Sequence, residues 1–356
     1  VFNMAWITFQ PKDNFNCTIY TGNNSTNAQT GVGFQPDLIW FKRRDSGAQH
    51  SLFDAVRGVT KGLASDTNAA ESTISDALTS FDSDGFTLGD HGESNGNGNG
   101  FISWNWKAGT TSGIATNGAT DITPSSYSFN QTAGFSVINY TGNGNTPTQI
   151  AHGLGAAPGF IIVKRLSAPD NNWVVYNPGT GLGNTKYLKL DTTDNAITAG
   201  GAAWENTDPD SVNFTVGDHG QTNASGEPYA AFLFAEKAGY SKFSTYMGNA
   251  NADGSMIYTG FAPSWVLIKM TDGSADGWWI VDNTIGNMLP NPNTRMLVAN
   301  TTGADNTSVS PFIDFYSNGF KIRSAWAGVN QSTSTYAYFA FGQTIVGTNN
   351  TPATAL

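Results

Sequence analysis

Four residues form the one polar pair that recurs with chemical potential: Asp90 with His91 and Asp218 with His219, each inside a Gly-Asp-His-Gly tetrapeptide. Imidazole and carboxylate both bind metals, and histidine titrates near neutral pH. Two adjacent ligands are nevertheless poor geometry for gripping one ion, and the flanking glycines mark a tight turn. The expected arrangement is an Asp that bonds the turn backbone and a His packed on a neighbouring strand. Neither a metal site nor a cofactor follows. Trp173, Trp278 and Trp279 are the remaining ligand-binding candidates. An exposed indole can stack on a pyranose, although filling a core is the commoner role of a large aromatic.

Enzymatic chemistry finds little to work with. A glycosidase needs two carboxylates roughly 5–10 Å apart across a cleft. Asp82 with Asp84 and Asp208 with Asp210 are paired in sequence, but they sit at turn positions where Asp bonds nearby amides. There is no Gly-x-Ser-x-Gly elbow for acyl transfer. The stretch Asn95 to Gly100 alternates Asn and Gly without a following Lys, and reads as a hairpin tip rather than a phosphate loop. Cys17, the single cysteine, reads as a small buried strand residue, and His50 and His152 as incidental. No catalytic residue is predicted.

The elements that carry these residues are strands. Of 356 residues, 39% are hydrophobic and 12% aromatic, while only 12% are charged and 41 are Gly. Aromatics favour the pleated sheet, and Gly, Asn and Asp favour tight turns. Among 27 acidic residues only five are Glu, the acid that helices prefer. A net charge of −10 repels nucleic acid, and Lys42-Arg43-Arg44 is too short a basic run to reverse this. No run of 18 apolar residues could span a membrane as a helix. One cysteine also excludes an intramolecular disulfide framework. No signal peptide is legible in the opening Val1-Phe2-Asn3-Met4, which is expected to reflect processing, truncation or a start at Met4.

Internal repetition is the strongest signal. Three segments run from a Pro through an apolar stretch to a Lys six residues later: Pro36 to Lys42, Pro158 to Lys164 and Pro263 to Lys269. Such a continuous apolar run predicts a strand buried on both faces. Each is preceded by a Tyr-x-Gly-Asn turn, at Tyr20, Tyr140 and Tyr246, and followed by a second apolar strand around Phe53, Val175 and Val281. Each segment closes on an aromatic strand: Phe101 to Trp106, Tyr229 to Phe234 and Tyr336 to Phe341. Phe86 to Asn95 nearly repeats in Phe214 to Asn223, whereas the third segment keeps Phe320 to Ser324 but has no Gly-Asp-His-Gly.

The expected fold is all-β, with three tandem β-sandwich or jelly-roll-like repeat units, arranged in series or around a pseudo-threefold axis. The units span 14–109, 134–239 and 240–346, with an N-terminal arm over 1–13 and a C-terminal tail over 347–356. Residues 110–133 read as a surface linker, and the junction at Ala238-Gly239-Tyr240 as a tight one. One short helix over Ala69 to Leu78, capped by Asn68, competes with a loop reading.

The stretches Phe234 to Phe243, Tyr246 to Asn249, Tyr258 to Lys269, Gly33 to Trp40 and Gly277 to Asp282 resemble an uncharacterised β-rich repeat domain. It is found in tail, fibre and other virion-surface proteins of marine bacteriophages. The resemblance covers most of the chain and carries no known chemistry. It implies a non-enzymatic structural protein at a virion surface, a tail fibre, head fibre or capsid decoration, that is extracellular once released. The implied partners are other virion proteins, further copies of the chain in a homo-oligomer, and a host-surface glycan. A lectin-like receptor-binding module and a polysaccharide depolymerase are the alternative readings.

Overall fold

In a computed structural model, residues 9–198, 202–285, 291–307 and 311–342 are described; the expected arm before residue 9 and the tail over 347–356 lie outside them. The fold is all-β and built from several sheets. Three large antiparallel sheets follow one another along the chain. In the first, Phe15–Thr21 pairs with Gly100–Trp106, which pairs with Leu38–Arg43, then Ser51–Asp54, Lys61–Ala64 and Ser72–Thr73. The second is centred on Phe135–Thr141, Pro228–Phe234, Phe160–Arg165, Val174–Tyr176 and Lys186–Lys189. The third is centred on Ser241–Met247, Thr335–Gly342, Pro263–Met270, Trp278–Asp282 and Arg295–Val298. The strand order is thus the same in all three: the opening strand, the closing aromatic strand, the Pro-to-Lys strand, and the strands that follow it.

Each large sheet is faced by a small one, and the pair forms a sandwich-like lobe. The small sheets contain Asn27–Thr30 with Gly85–Leu88 and Leu78–Asp82, Thr148–Ala151 with Asn213–Val216, and Met256–Tyr258 with Gly319–Ile322 and Ile313–Tyr316. The Pro-to-Lys strands are buried on both faces because the two faces serve different cores. One alternating set, exemplified by Ile39, Ile161 and Val266, packs against the small sheet of its own lobe. The other set, Trp40, Ile162 and Leu267, enters a single core shared by all three lobes. That shared core holds Trp104, Trp106, Phe234, Trp265 and Phe341, with Trp265 and Phe341 ring centroids 5.7 Å apart.

Three expectations need correction. Ala69 to Leu78 is no helix: Ser72–Thr73 pairs with Lys61 and Gly62, and Leu78 already begins a strand. A short segment held by sheet pairing at both ends has no room for a helical turn. Residues 110–133 are no free linker. Ser126–Asn130 adds an edge strand to the second large sheet, and Ile122 bridges Ile150 of the second small sheet. Asp121 accepts from the Gln149 amide at 2.8 Å, so this stretch covers the outside of that small sheet. Finally, the third lobe keeps the turn that its sequence conceals. Gly92–Asn95, Gly220–Asn223 and Ala327–Asn330 are all single helical turns. The residues before them, His91, His219 and Trp326, share an extended conformation, with ψ values of 122°, 123° and 137°. The backbone conformation is the same there although the side chain differs.

Candidate functional site

The Tyr-x-Gly-Asn motif and these helical turns form one structural device. Tyr20, Tyr140 and Tyr246 each donate their hydroxyl to a turn carbonyl, of Ser94 at 2.8 Å, Thr222 at 2.6 Å and Val329 at 2.7 Å. Asn95, Asn223 and Asn330 are fully buried, and each accepts from the backbone amide of the motif Asn, at 3.0, 2.9 and 2.8 Å. Their amide nitrogens donate back to that Asn's side chain at 3.1 Å in all three lobes. Glycine is required at 22, 142 and 248 because a Cβ would meet the carbonyl oxygens of Gly96, Ala224 and Gln331 at 2.2, 2.4 and 2.1 Å. A buried amide satisfied on both ends is expensive to remove, since its partners stay buried. Asn330→Ala is therefore expected to lower stability by about 3 kcal/mol in urea unfolding. An unchanged midpoint would mean the clamp carries no weight.

The expected ligand-binding residues are scattered. Asp90 and Asp218 are exposed and His91 and His219 half-buried, on the rims of two different lobes. His219 packs beside Tyr187 with centroids 5.3 Å apart, and burial pushes its pKa down. Among the described residues no three His, Cys, Asp or Glu side chains cluster as metal ligands. Trp173 and Trp278 are completely buried, so neither can stack on a sugar; the core-filling alternative describes them. Trp279 is 8% exposed and lies edge-on under Trp326 at 4.5 Å. The paired acids are occupied in turns. Asp84 accepts from the Gly31 and Gly33 amides, and Asp210 from those of Val212 and Asn213.

What the two tryptophans do is close the seams between lobes. Trp173 of the second lobe donates to the Ala64 and Thr67 carbonyls of the first, both at 3.1 Å. Trp278 of the third donates to Lys189 O of the second at 2.7 Å. His50 stands in this place in the first lobe, opposite the third. It is fully buried, accepts from Trp40 Nε1 at 2.9 Å, and is pushed well below the ordinary histidine range by burial and then by Lys42.

The lysines ending the three Pro-to-Lys strands follow the same cycle. Lys42 Nζ donates to Thr302 O of the third lobe at 2.9 Å, Lys164 to Asn68 O of the first at 3.1 Å, and Lys269 to Thr193 O of the second at 2.9 Å. Each also donates to a carbonyl of its own lobe, those of Ala48, Asn171 and Asp276. Two residues beyond each lysine, a carbonyl accepts from the neighbouring lobe: Arg44 O from Asp305 N, Leu166 O from Glu71 N, and Thr271 O from Ala196 N. All three lysines are fully buried, and burial lowers each pKa to about 8. The fixed Pro-to-Lys spacing implies a buried strand but by itself no role for the lysine. A cation closing an apolar run was the available signal.

Open surface suited to a ligand occurs at the seam between the second and third lobes. A cleft of about 610 Å³ lies there, with Asp208 and Tyr176 on one side and Glu236, Lys242 and Ser244 on the other. The Tyr176 hydroxyl donates to Asp208 Oδ1 at 3.1 Å, and burial raises its pKa. Glu236 is held by Lys242 Nζ at 2.7 Å and by the Phe243 amide at 2.8 Å. A second open feature belongs to the third lobe. Tyr258, 69% exposed, and Tyr316, 37% exposed, flank Gly319 in one cross-strand row.

No curated protein and no solved structure matches this chain. Residues 10–344 match a family described as a domain of unknown function, DUF7483. That stretch takes in all three lobes and every seam described above, and the chain is a member of the DUF7483 family.

Proposed function

We propose that this chain is a non-enzymatic structural protein of a bacteriophage particle surface, built as three diverged copies of one sandwich unit around a pseudo-threefold axis. The observation that carries the scaffold reading is the closed cycle of seams. Each lobe donates a buried lysine to the lobe before it, and the first lobe donates to the third, so no lobe end is left open. A ring closed by buried cations and indoles suits a protein that must hold its shape while exposed. The placement at a particle rests on the resemblance to virion-surface repeat domains. Its partners in this reading are other particle proteins, further copies of itself, and the host surface. Imaging intact particles from a producing culture should locate density for this chain on their exterior, and mass spectrometry should find it in purified particles. Particles that lack the chain would overturn the assignment.

One observation favours a second reading, a lectin-like module. Among the described residues, the second and third lobes offer surface able to hold a ligand, as the seam cleft and the Tyr258–Tyr316 row. The corresponding row of the first lobe, Thr30, Gly85 and Asp82, has no aromatic residue.

A further inference from the structure

The cleft between the second and third lobes is lined by Gly159 and Gly179, at two places where the other lobes carry side chains. After the second apolar strand, Asp54, Asn177 and Asp282 each accept from the amide two residues on, of Val56, Gly179 and Thr284. This shared turn aligns the three lobes residue by residue. Gly179 therefore stands where the others have Val56 and Thr284. Thr180 stands where they have Arg57, tied by its guanidinium to Asp54 and Glu71, and Ile285, fully buried. Gly159 likewise stands where the others have Asp37 and Ser264, since each immediately precedes the homologous positions Leu38, Phe160 and Trp265, which pair with Trp106, Phe234 and Phe341.

The chemistry of the lining selects a ligand class. Glu236 is neutralised by Lys242, so that wall carries no net charge. Asp208 is exposed, and among the described residues Tyr176 is its donor, which leaves acceptor capacity for a ligand. Pro158, Pro178 and Pro209 add apolar C–H surface between these polar groups. The volume falls within the roughly 300–1,000 Å³ of small-molecule sites. A lone phosphate or metal ion would use little of it, and a strongly apolar ligand would leave Asp208 and Glu236 desolvated. Alternating C–H and hydroxyl groups match such a wall.

We propose that this cleft binds a neutral oligosaccharide, with Asp208 accepting from sugar hydroxyls and the Lys242–Glu236 pair contacting the opposite edge. The proposal rests on the lectin-like reading and assigns it a site. Saturation-transfer NMR on the full chain with cellotetraose, maltotetraose and chitotriose tests it. At least one should receive saturation. Asp208→Ala, at an exposed position, should weaken that binding about tenfold or more, because hydrogen bonds to a charged group are lost, while the melting temperature stays unchanged. A bulky Gly159→Gln change should also weaken it by filling the cleft. Binding that survives both substitutions but falls in Tyr258→Ala would overturn the cleft and leave the lectin-like reading standing on the third lobe. No transfer to any of the three sugars would overturn both.

Discussion

Trp265→Asp is expected to abolish the folded state of the whole chain rather than of one lobe. Trp265 is 1% exposed and lies in the core shared by all three sheets. Its ring centroid is within 6.5 Å of those of Phe15, Trp40, Trp104, Trp106 and Phe341, which come from the first and third lobes. Truncating a buried tryptophan costs about 3–5 kcal/mol through lost transfer energy and the cavity left behind. An unpaired carboxylate in the same place adds several more. The sum rivals the 5–15 kcal/mol that typically separates folded from unfolded domains. Ile161→Asp gives the contrast, because Ile161 lies in the core private to the second lobe. Hydrogen exchange should show protection lost throughout the chain for Trp265→Asp and first between 134 and 239 for Ile161→Asp. Unchanged melting of either variant would mean that its strand is not buried as described.

Stability should rise with pH between about 8 and 10, the reverse of the usual alkaline decline. Lys42, Lys164 and Lys269 each have a pKa lowered to about 8 from 10.5, chiefly because burial disfavours the ammonium. Below pH 8 both folded and unfolded chains hold the proton, and the fold carries the full penalty of three buried charges. Between 8 and 10.5 the unfolded chain holds more protons than the folded one, so raising the pH favours folding. Each lysine contributes at most about 3 kcal/mol across that window. The neutral amine still has hydrogens for its two carbonyls, so the seams survive deprotonation. Above pH 10 buried Tyr20, Tyr140 and Tyr246 oppose the trend. Burial raises their pKa values, so only the unfolded chain gains by ionising them. Urea midpoints measured at pH 8, 9 and 10 should therefore climb. Each single Lys→Met variant should remove about a third of the climb, as one of three equal groups. A flat profile in the parent chain would show that the lysines are not buried as cations.

Much of the scaffold is legible in the sequence. The Pro-to-Lys runs, the Tyr-x-Gly-Asn turns and the closing aromatic strands all occupy the places that their spacing implied, because strand burial and turn chemistry are local properties. Two local readings failed for a shared reason. Ala69 to Leu78 and residues 110–133 have no strong pattern of their own, and pairing with distant strands decides their structure. The third lobe's helical turn is not legible because Trp326 stands where the other two lobes have histidine, while Asn330, which holds the turn, sits in an unremarkable Ala-Gly-Val-Asn.

The candidate ligand residues fared differently. Trp173 and Trp278 are equally aromatic whether they face solvent or a neighbouring lobe, and composition cannot distinguish the two. Asp90-His91 and Asp218-His219 repeat because the turn repeats, and they remain on separate rims. Asp208 and Lys242 line one cleft although 34 positions separate them, since the second lobe's loop and the third lobe's first strand converge at the seam. By itself the sequence determined the β class, the strand-to-strand spacing and the turn chemistry, each set by neighbours a few residues apart. Which aromatics would be buried, which lysines would lose their water, and where a cleft would open were decided only when three sheets closed on one core, because burial depends on what packs opposite and not on the residue that is buried.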